Sequence, residues 1–225
     1  MDSSDEDLME EAKQPIFNEE FLRQVMQQKA AEPGMFVSNW EEEDDAGILP
    51  ESEPGSNKAK ILKAAENGDW KTVDELLNID PSLVSATDQD EYTPLHRASY
   101  NNHANVVELL LRRGASVGAR TECGWQAIHC AAKWGNAKAL HVLISLGGAD
   151  VNARTNGNLT PLHLAASCKD TGGLEAVQIL LSNPNIALDS VSDGGEMPSD
   201  VARQTSEAMI KLFESKIHQD DRMET

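Results

Sequence analysis

The tetrapeptide Thr93-Pro94-Leu95-His96 returns as Thr160-Pro161-Leu162-His163, and between them Gln126-Ala127-Ile128-His129 keeps an aliphatic residue followed by histidine. These units begin at residues 93, 126 and 160, so their spacings are 33 and 34 residues. A threonine at a helix N-cap followed by proline at the first helical position starts a helix. Small residues and then a segment rich in Leu and Val follow each unit. The sequence therefore predicts a row of similar helix pairs.

A period of about 33 residues is typical of ankyrin repeats. Counting 33 residues back from Thr93 reaches Lys60, where an apolar helix-pair pattern lacks the Thr-Pro start. Counting forward, Met197-Pro198-Ser199-Asp200 begins a further unit. We therefore predict an all-α ankyrin-repeat solenoid of about five helix-pair repeats, with capping repeats at both ends.

Acidic residues divide the chain into segments. Residues 1–57 hold 16 Asp and Glu against three Lys and Arg, out of a net charge of −19 for the chain. Such a segment, interrupted by Pro and Gly, cannot bury a core. We predict a disordered acidic head over residues 1–57 with one amphipathic segment, an ankyrin repeat domain over 58–218 and a disordered tail over 219–225.

The net charge and the cysteines limit the partners and the compartments of the protein. Binding to nucleic acid or an anionic membrane requires clustered Lys and Arg, so we expect neither. Three cysteines form no CxxC pair, which is typical of a reducing compartment. The nucleus and the cytoplasm both remain as compartments, and we expect a monomer.

Three histidines recur in register and require a structural or a chemical explanation. Residues one repeat apart lie roughly 10 Å apart, which is too far to share a zinc ion. We therefore interpret these imidazoles as neutral links between adjacent repeats: His96, His129 and His163. No phosphate loop, serine elbow or carboxylate pair is evident, so we expect no enzyme activity, no metal and no cofactor.

Aromatic and basic residues occupy positions that the repeat does not need. When a repeat is numbered so that its four-residue unit starts at the sixth position, the fifth residue projects from the hairpin and the thirteenth and fourteenth end the inner helix, so all three face one groove. Aromatic residues beside basic ones are favoured in binding hot spots. We predict that six residues form a partner-binding strip: Tyr92, Arg97, Tyr100, Trp125, Lys133 and Trp134. We expect the cations of this strip to favour apolar and acidic groups on the partner. The alternative is that some of these rings, Trp134 above all, pack into the core.

The head offers a second surface. Apolar residues at helical spacing occur over residues 16–26, and Phe36, Val37 and Trp40 precede the acidic run Glu41–Asp45. Aromatic residues among acids are typical of activation or docking segments. The same segment has a second interpretation, in which it folds back on the solenoid.

Several of these stretches resemble the ankyrin repeat domain-containing protein 49 family. The resemblance is carried by residues 88–98, by Gly124-Trp125, by residues 130–134 and by residues 159–166. It implies a small nuclear protein without enzyme activity that supports transcription. The competing interpretation is a cytosolic scaffold or inhibitor whose head competes for the groove.

Overall fold

A computed structural model of the protein describes residues 55–223, with side chains described as far as His218. The predicted disordered head and its amphipathic segment over residues 16–26 lie outside the described residues, apart from the last three positions of the head. The described part of the chain contains α-helices, turns and one short 3₁₀ helix, and no strand. The all-α prediction is confirmed.

The helices form five successive pairs. Each pair consists of an inner helix and an outer helix, and a 3₁₀ helix over Pro81–Ser85 follows the first pair. The inner helices are α1 (Asn57–Glu66), α3 (Pro94–Tyr100), α5 (Ala127–Lys133), α7 (Pro161–Ala166) and α9 (Pro198–Thr205). The outer helices are α2 (Trp70–Ile79), α4 (Ala104–Arg112), α6 (Ala137–Ser145), α8 (Thr171–Leu181) and α10 (Glu207–Met223).

The Thr-Pro units begin the inner helices as the sequence predicts. Thr93 and Thr160 are N-caps, and Pro94 and Pro161 occupy the first helical position, where a missing N–H leaves no bond unmade. Gln126 takes the N-cap position of α5, where the sequence has neither threonine nor proline. The inner helix of the third repeat therefore starts at the equivalent position, with different residues at its N-terminus.

The repeats stack in two layers with the core between them. Each inner helix packs on the next inner helix, and each outer helix packs on the next outer helix. Small residues such as Ala131 and Ala132 are fully buried where the inner and outer helices of a repeat meet. The outer helices contribute larger side chains without exposed surface: Val106, Val107, Leu110, Leu140, Leu143, Val177 and Leu180.

The first repeat lies one residue away from the register that the sequence predicts. The Asp69 N–H donates to the Ala64 carbonyl at 2.9 Å, and the His103 N–H donates to the Ala98 carbonyl at 2.9 Å. These equivalent bonds are 34 residues apart, so Ala59, and not Lys60, corresponds to Thr93. The helix α1 begins earlier, after the N-cap Ser56, and so adds a turn that the central repeats lack.

Two consecutive glycines allow the third and fourth repeats to approach each other closely. A Cβ atom added at Gly135 would lie 2.5 Å from the Gly172 carbonyl carbon, and one at Gly172 would lie 2.6 Å from the Gly135 oxygen. Gly172 and Gly173 lie in the first turn of α8, whose N-cap Asp170 accepts from the Gly173 N–H at 2.9 Å. The double glycine is thus a packing requirement.

The C-terminal repeat ends the stack with the longest described helix. Met209 and Phe213 of α10 are buried against the preceding repeat. The backbone remains helical to Met223, so the domain boundary predicted at residue 218 falls inside α10.

Candidate functional site

Four loops lie side by side, and each of them leads from an outer helix to the next inner helix. We call residues 87–93, 114–126, 147–160 and 183–197 the finger loops. Backbone bonds join the tip of each loop to the next: Glu122 N to Asp90 O at 3.2 Å, Asn156 N to Cys123 O at 3.1 Å and Asp193 N to Gly157 O at 3.1 Å. The tips therefore form one connected edge, and with the inner helices they line a face that we call the groove.

The three histidines in register bond across the repeats. His96 Nδ1 accepts the Thr93 N–H at 3.1 Å, so its Nε2 carries the proton and donates to the Trp125 carbonyl at 3.1 Å. His129 and His163 repeat this arrangement one and two repeats later, with Nε2 at 3.0 Å from the carbonyls of Ala153 and Glu196. Each imidazole thus joins its own helix start to the following finger loop.

Burial keeps these imidazoles neutral. It lowers the pKa of His96 and of His129 to about 4, and it also lowers the pKa of His163. Both ring nitrogens of each histidine are occupied by backbone groups, so neither is available as a base or a ligand. In the residues that the structure describes, no three His, Cys, Asp or Glu side chains are grouped as metal ligands.

The last repeat replaces the histidine by a carboxylate. Asp200 Oδ2 accepts the Met197 N–H at 3.0 Å and so caps the start of α9, while Oδ1 accepts from Arg203 at 2.8 Å. A carboxylate has no N–H to donate, so the link toward a following finger loop is absent at this position.

Arg97 is neutralised inside its own repeat. Its guanidinium bonds the Asp88 carboxylate at 2.6 Å and lies 5.1 Å from the centre of the Tyr92 ring, while both charged side chains are only 17% exposed. Burial raises the pKa of the Tyr92 phenol, so this ring stays uncharged. The predicted cation Arg97 is therefore paired by the finger loop of its own repeat.

Tyr100 and Trp134 come together across two repeats. Their ring centres are 5.0 Å apart and tilted by 58°, and Trp134 is 39% exposed. Burial raises the pKa of Tyr100 to about 12. Beside them, Lys133 Nζ donates to the Ser167 hydroxyl at 3.2 Å. These residues form a half-exposed aromatic pair at the C-terminal ends of α3 and α5.

Trp125 occupies a different environment from Trp134. It is partly buried, packs against the core and lies 6.3 Å from the His129 ring. Its backbone N–H donates to the Thr121 hydroxyl at 3.1 Å, and its backbone carbonyl accepts from His96. The most exposed indole of the predicted strip is therefore that of Trp134, which is the ring that the sequence pattern associates most with the core.

Sequence reasoning missed two residues of this face. Glu66 corresponds to Tyr100 and Lys133 once the 34-residue register of the first repeat is known, and its carboxylate lies 3.5 Å from Lys63 Nζ. Asp88 lies nine residues before the arginine that it neutralises, and only the folded finger loop brings the two together. A register corrected by one residue would have revealed Glu66, whereas no local sequence signal indicates the pairing of Asp88.

Comparisons with known proteins agree with this architecture. Two family models for ankyrin repeats match the chain, one described as many copies over residues 76–131 and one as three copies over residues 113–191. Together they span just over half of the chain. None of the described helices is both long and apolar enough to cross a membrane.

The chain is similar to ankyrin repeat domain-containing protein 49 of Drosophila melanogaster, with 42% identity over 84 residues, which is 37% of this chain and 39% of that protein. It is 48% identical over 61 residues to the Bos taurus protein of the same name, covering 27% of this chain and 26% of that protein. It is also 33% identical over 154 residues to the tyrosine-protein kinase Shark of Drosophila melanogaster, covering 68% of this chain and 16% of the kinase.

In each case the alignment spans well under half of the relative's length. The repeats that the family models match form an array of the kind that binds other proteins through an extended face. The chain therefore belongs to the ankyrin-repeat family, and within that family it is similar to ankyrin repeat domain-containing protein 49.

Proposed function

We propose that this protein is a non-enzymatic adaptor, monomeric and nuclear, which holds a partner protein in its groove and regulates transcription. The observation that carries the binding part is the half-exposed Tyr100–Trp134 pair in the groove. The nuclear and transcriptional part is supported by similarity to ankyrin repeat domain-containing protein 49 and by the composition of the acidic head.

The repeat fold does not require an indole at position 134. The equivalent positions in the neighbouring repeats hold Asn101 and Cys168, and both adjacent inner helices form without a tryptophan there. An aromatic side chain that is dispensable for the fold, and still 39% exposed, is well suited to bind a partner. The ring of Tyr100 packs against it with 5.0 Å between the ring centres, so the indole already has a packing partner before binding.

The head supplies the regulatory part of the proposal. Residues 1–57 carry 16 acidic side chains against three basic ones, and Phe36 and Trp40 precede the run Glu41–Asp45. Aromatic residues interspersed among acids are found in segments that recruit other proteins. We therefore assign partner binding to the groove and recruitment to the head.

A tethered reporter assay tests the two assignments separately. The full chain is fused to a heterologous DNA-binding domain, and reporter transcription is compared with that of Trp134→Ala and of a chain lacking residues 1–54. Trp70→Ala is the matched control, because Trp70 is 48% exposed on the outer helix of the first repeat. Microscopy of a fluorescent fusion of the full chain, made without the DNA-binding domain, reports its location.

We expect nuclear fluorescence, reporter activation by the full chain and by Trp70→Ala, and loss of activation without residues 1–54. In affinity capture from nuclear extract, Trp134→Ala should fail to capture proteins that Trp70→Ala still captures. A cytosolic chain whose groove captures more protein after removal of residues 1–54 would instead support a scaffold that its own head inhibits. Equal capture by all variants would contradict the groove assignment.

A further inference from the structure

The negative charge of the repeat domain is concentrated in the finger loops. These loops hold eight acidic residues against two basic ones, whereas the rest of residues 58–225 holds 14 of each. The rest of the domain thus has balanced charge, and the excess negative charge belongs to the finger loops. The acidic residues of the finger loops are Asp88, Asp90, Glu91, Glu122, Asp150, Asp189, Asp193 and Glu196.

Among the cations of the groove only Arg97 neutralises a carboxylate of this edge, that of Asp88, which leaves seven acidic residues in the finger loops. Lys63 is paired with Glu66, and Arg97 is paired with Asp88. Lys133 donates to a neutral hydroxyl, that of Ser167. The floor of the groove is therefore aromatic with nearly balanced charge, while its edge is negative.

The acidic tips are exposed and held in fixed positions. Asp90, Glu91, Glu122 and Asp193 are all exposed, and the backbone bonds between successive loops hold their tips about one repeat apart, roughly 10 Å. The two arginines of these loops are engaged locally by loop groups: Arg120 by the Asn156 side chain and Arg154 by the Val191 carbonyl. An ordered row of carboxylates beside an aromatic floor attracts and orients a cationic chain.

We propose that the groove binds a basic, extended segment of a partner protein, whose Lys and Arg side chains follow the acidic finger loops while an apolar or arginine side chain covers Trp134. This inference rests on the proposed function and adds the chemistry of the partner to it. It reverses the expectation of an acidic partner, because Arg97 is neutralised by Asp88. Arginine suits the site at Trp134 since a guanidinium stacks on an indole face.

The charges distinguish this occupant from two others. Nucleic acid is repelled by the acidic edge, because its binding depends on cations that neutralise phosphates. The protein's own head carries 16 acidic residues against three basic ones, so the finger loops repel it as well. A basic peptide segment is the occupant whose charge complements the groove.

Peptide selection on the full chain tests the inference. Phage displaying random 12-residue peptides are panned against the protein, and recovered peptides are synthesised with a fluorescent label. Their affinities are measured by fluorescence anisotropy at low and moderate salt. The finger variant carries Asp90→Asn, Glu91→Gln and Glu122→Gln, and the matched head variant carries Glu42→Gln, Glu43→Gln and Asp44→Asn, which removes the same charge elsewhere.

We expect recovered peptides with a net positive charge and at least one aromatic, aliphatic or arginine residue. The finger variant should bind them about tenfold more weakly at low salt, with a smaller loss at moderate salt, and the head variant should change the affinity less than about twofold. Trp134→Ala should weaken binding in both salt conditions. Circular dichroism melting confirms that each variant is folded.

Two results would overturn the inference. Neutral or acidic peptides that bind in a Trp134-dependent manner, with no effect of the finger variant, would retain the groove as a binding site and remove its basic specificity. Basic peptides that depend on the head variant alone would place binding on the head, and would contradict the groove function too.

Discussion

The indole of Trp134 lies 5.0 Å from the ring of Tyr100, which belongs to the preceding repeat. Trp134 is 39% exposed and Tyr100 is partly buried, so the indole is the more exposed ring of the pair. Removing the indole of Trp134 should therefore affect binding more than folding.

Trp134→Ala should lower groove binding by about 2 kcal/mol or more while lowering the free energy of unfolding by less than about 1 kcal/mol. Anisotropy with a selected peptide and urea denaturation measure the two quantities. Trp70→Ala is the control, and it should leave peptide affinity unchanged. Unfolding of Trp134→Ala together with normal binding by its folded fraction would show that this indole belongs to the core.

His129→Ala should destabilise the fold by roughly 1–3 kcal/mol, because it leaves the Gln126 N–H and the Ala153 carbonyl without their shared partner. The exposed His141 on α6 provides a matched control, and His141→Ala should change stability by less than about 0.5 kcal/mol. Urea denaturation followed by circular dichroism measures both. Equal stability of the two variants would mean that the imidazole bond is dispensable.

Stability should fall as pH decreases from 7 to 5. The pKa of His96 and of His129 is about 4 in the folded protein, against 6.5 for an ordinary histidine, so the unfolded chain binds protons first in this window. The loss should be about 2 kcal/mol per histidine between pH 7 and 5, and stability should be insensitive to these groups above pH 7. Urea midpoints across this range, compared with those of His129→Gln, measure the slope. An unchanged slope in His129→Gln would contradict the assignment.

Gly135→Ala should destabilise the protein more than Gly148→Ala. Both glycines have similar positive φ values, 60° and 63°, so the backbone strain of an added side chain is alike. Only at Gly135 does the new Cβ atom meet the backbone of Gly172, at 2.5 Å, whereas Gly148 has open space around it. We expect about 1 kcal/mol for Gly148→Ala and at least twice that for Gly135→Ala, measured by thermal and urea denaturation. Equal losses would show that the two repeats separate at no cost.

The sequence predicts the repeat period, the helix starts and the buried stripes, since these depend on residues close together in the chain. Thr93 and Pro94 cap and begin a helix wherever it packs, and so their structural role can be inferred locally. The register of the first repeat was missed by one residue, because α1 replaces the Thr-Pro start with an extra turn after Ser56.

The candidate site was harder to predict because contacts between repeats determine it. Periodicity places Trp125 and Trp134 on one face, but whether each ring packs on the core depends on the neighbouring finger loop and inner helix. The same limit applies to charge. The sequence indicates an available cation at Arg97, but the folded finger loop places the Asp88 carboxylate 2.6 Å from its guanidinium. Adding up charges loop by loop would have revealed the acidic edge from the sequence alone.

The carboxylate at position 200 closes the array at its C-terminal end. Every preceding Thr-Pro or Gln-Ala unit has a histidine that reaches the next hairpin, whereas Asp200 caps its own helix and offers no donor beyond it. Gene duplication or protein engineering can therefore lengthen the array more readily within it than at its C-terminal end. An inserted copy of residues 126–159 would contain both the histidine and the carbonyl that form the link between repeats. Appending a unit after α10 would require a new donor at position 200.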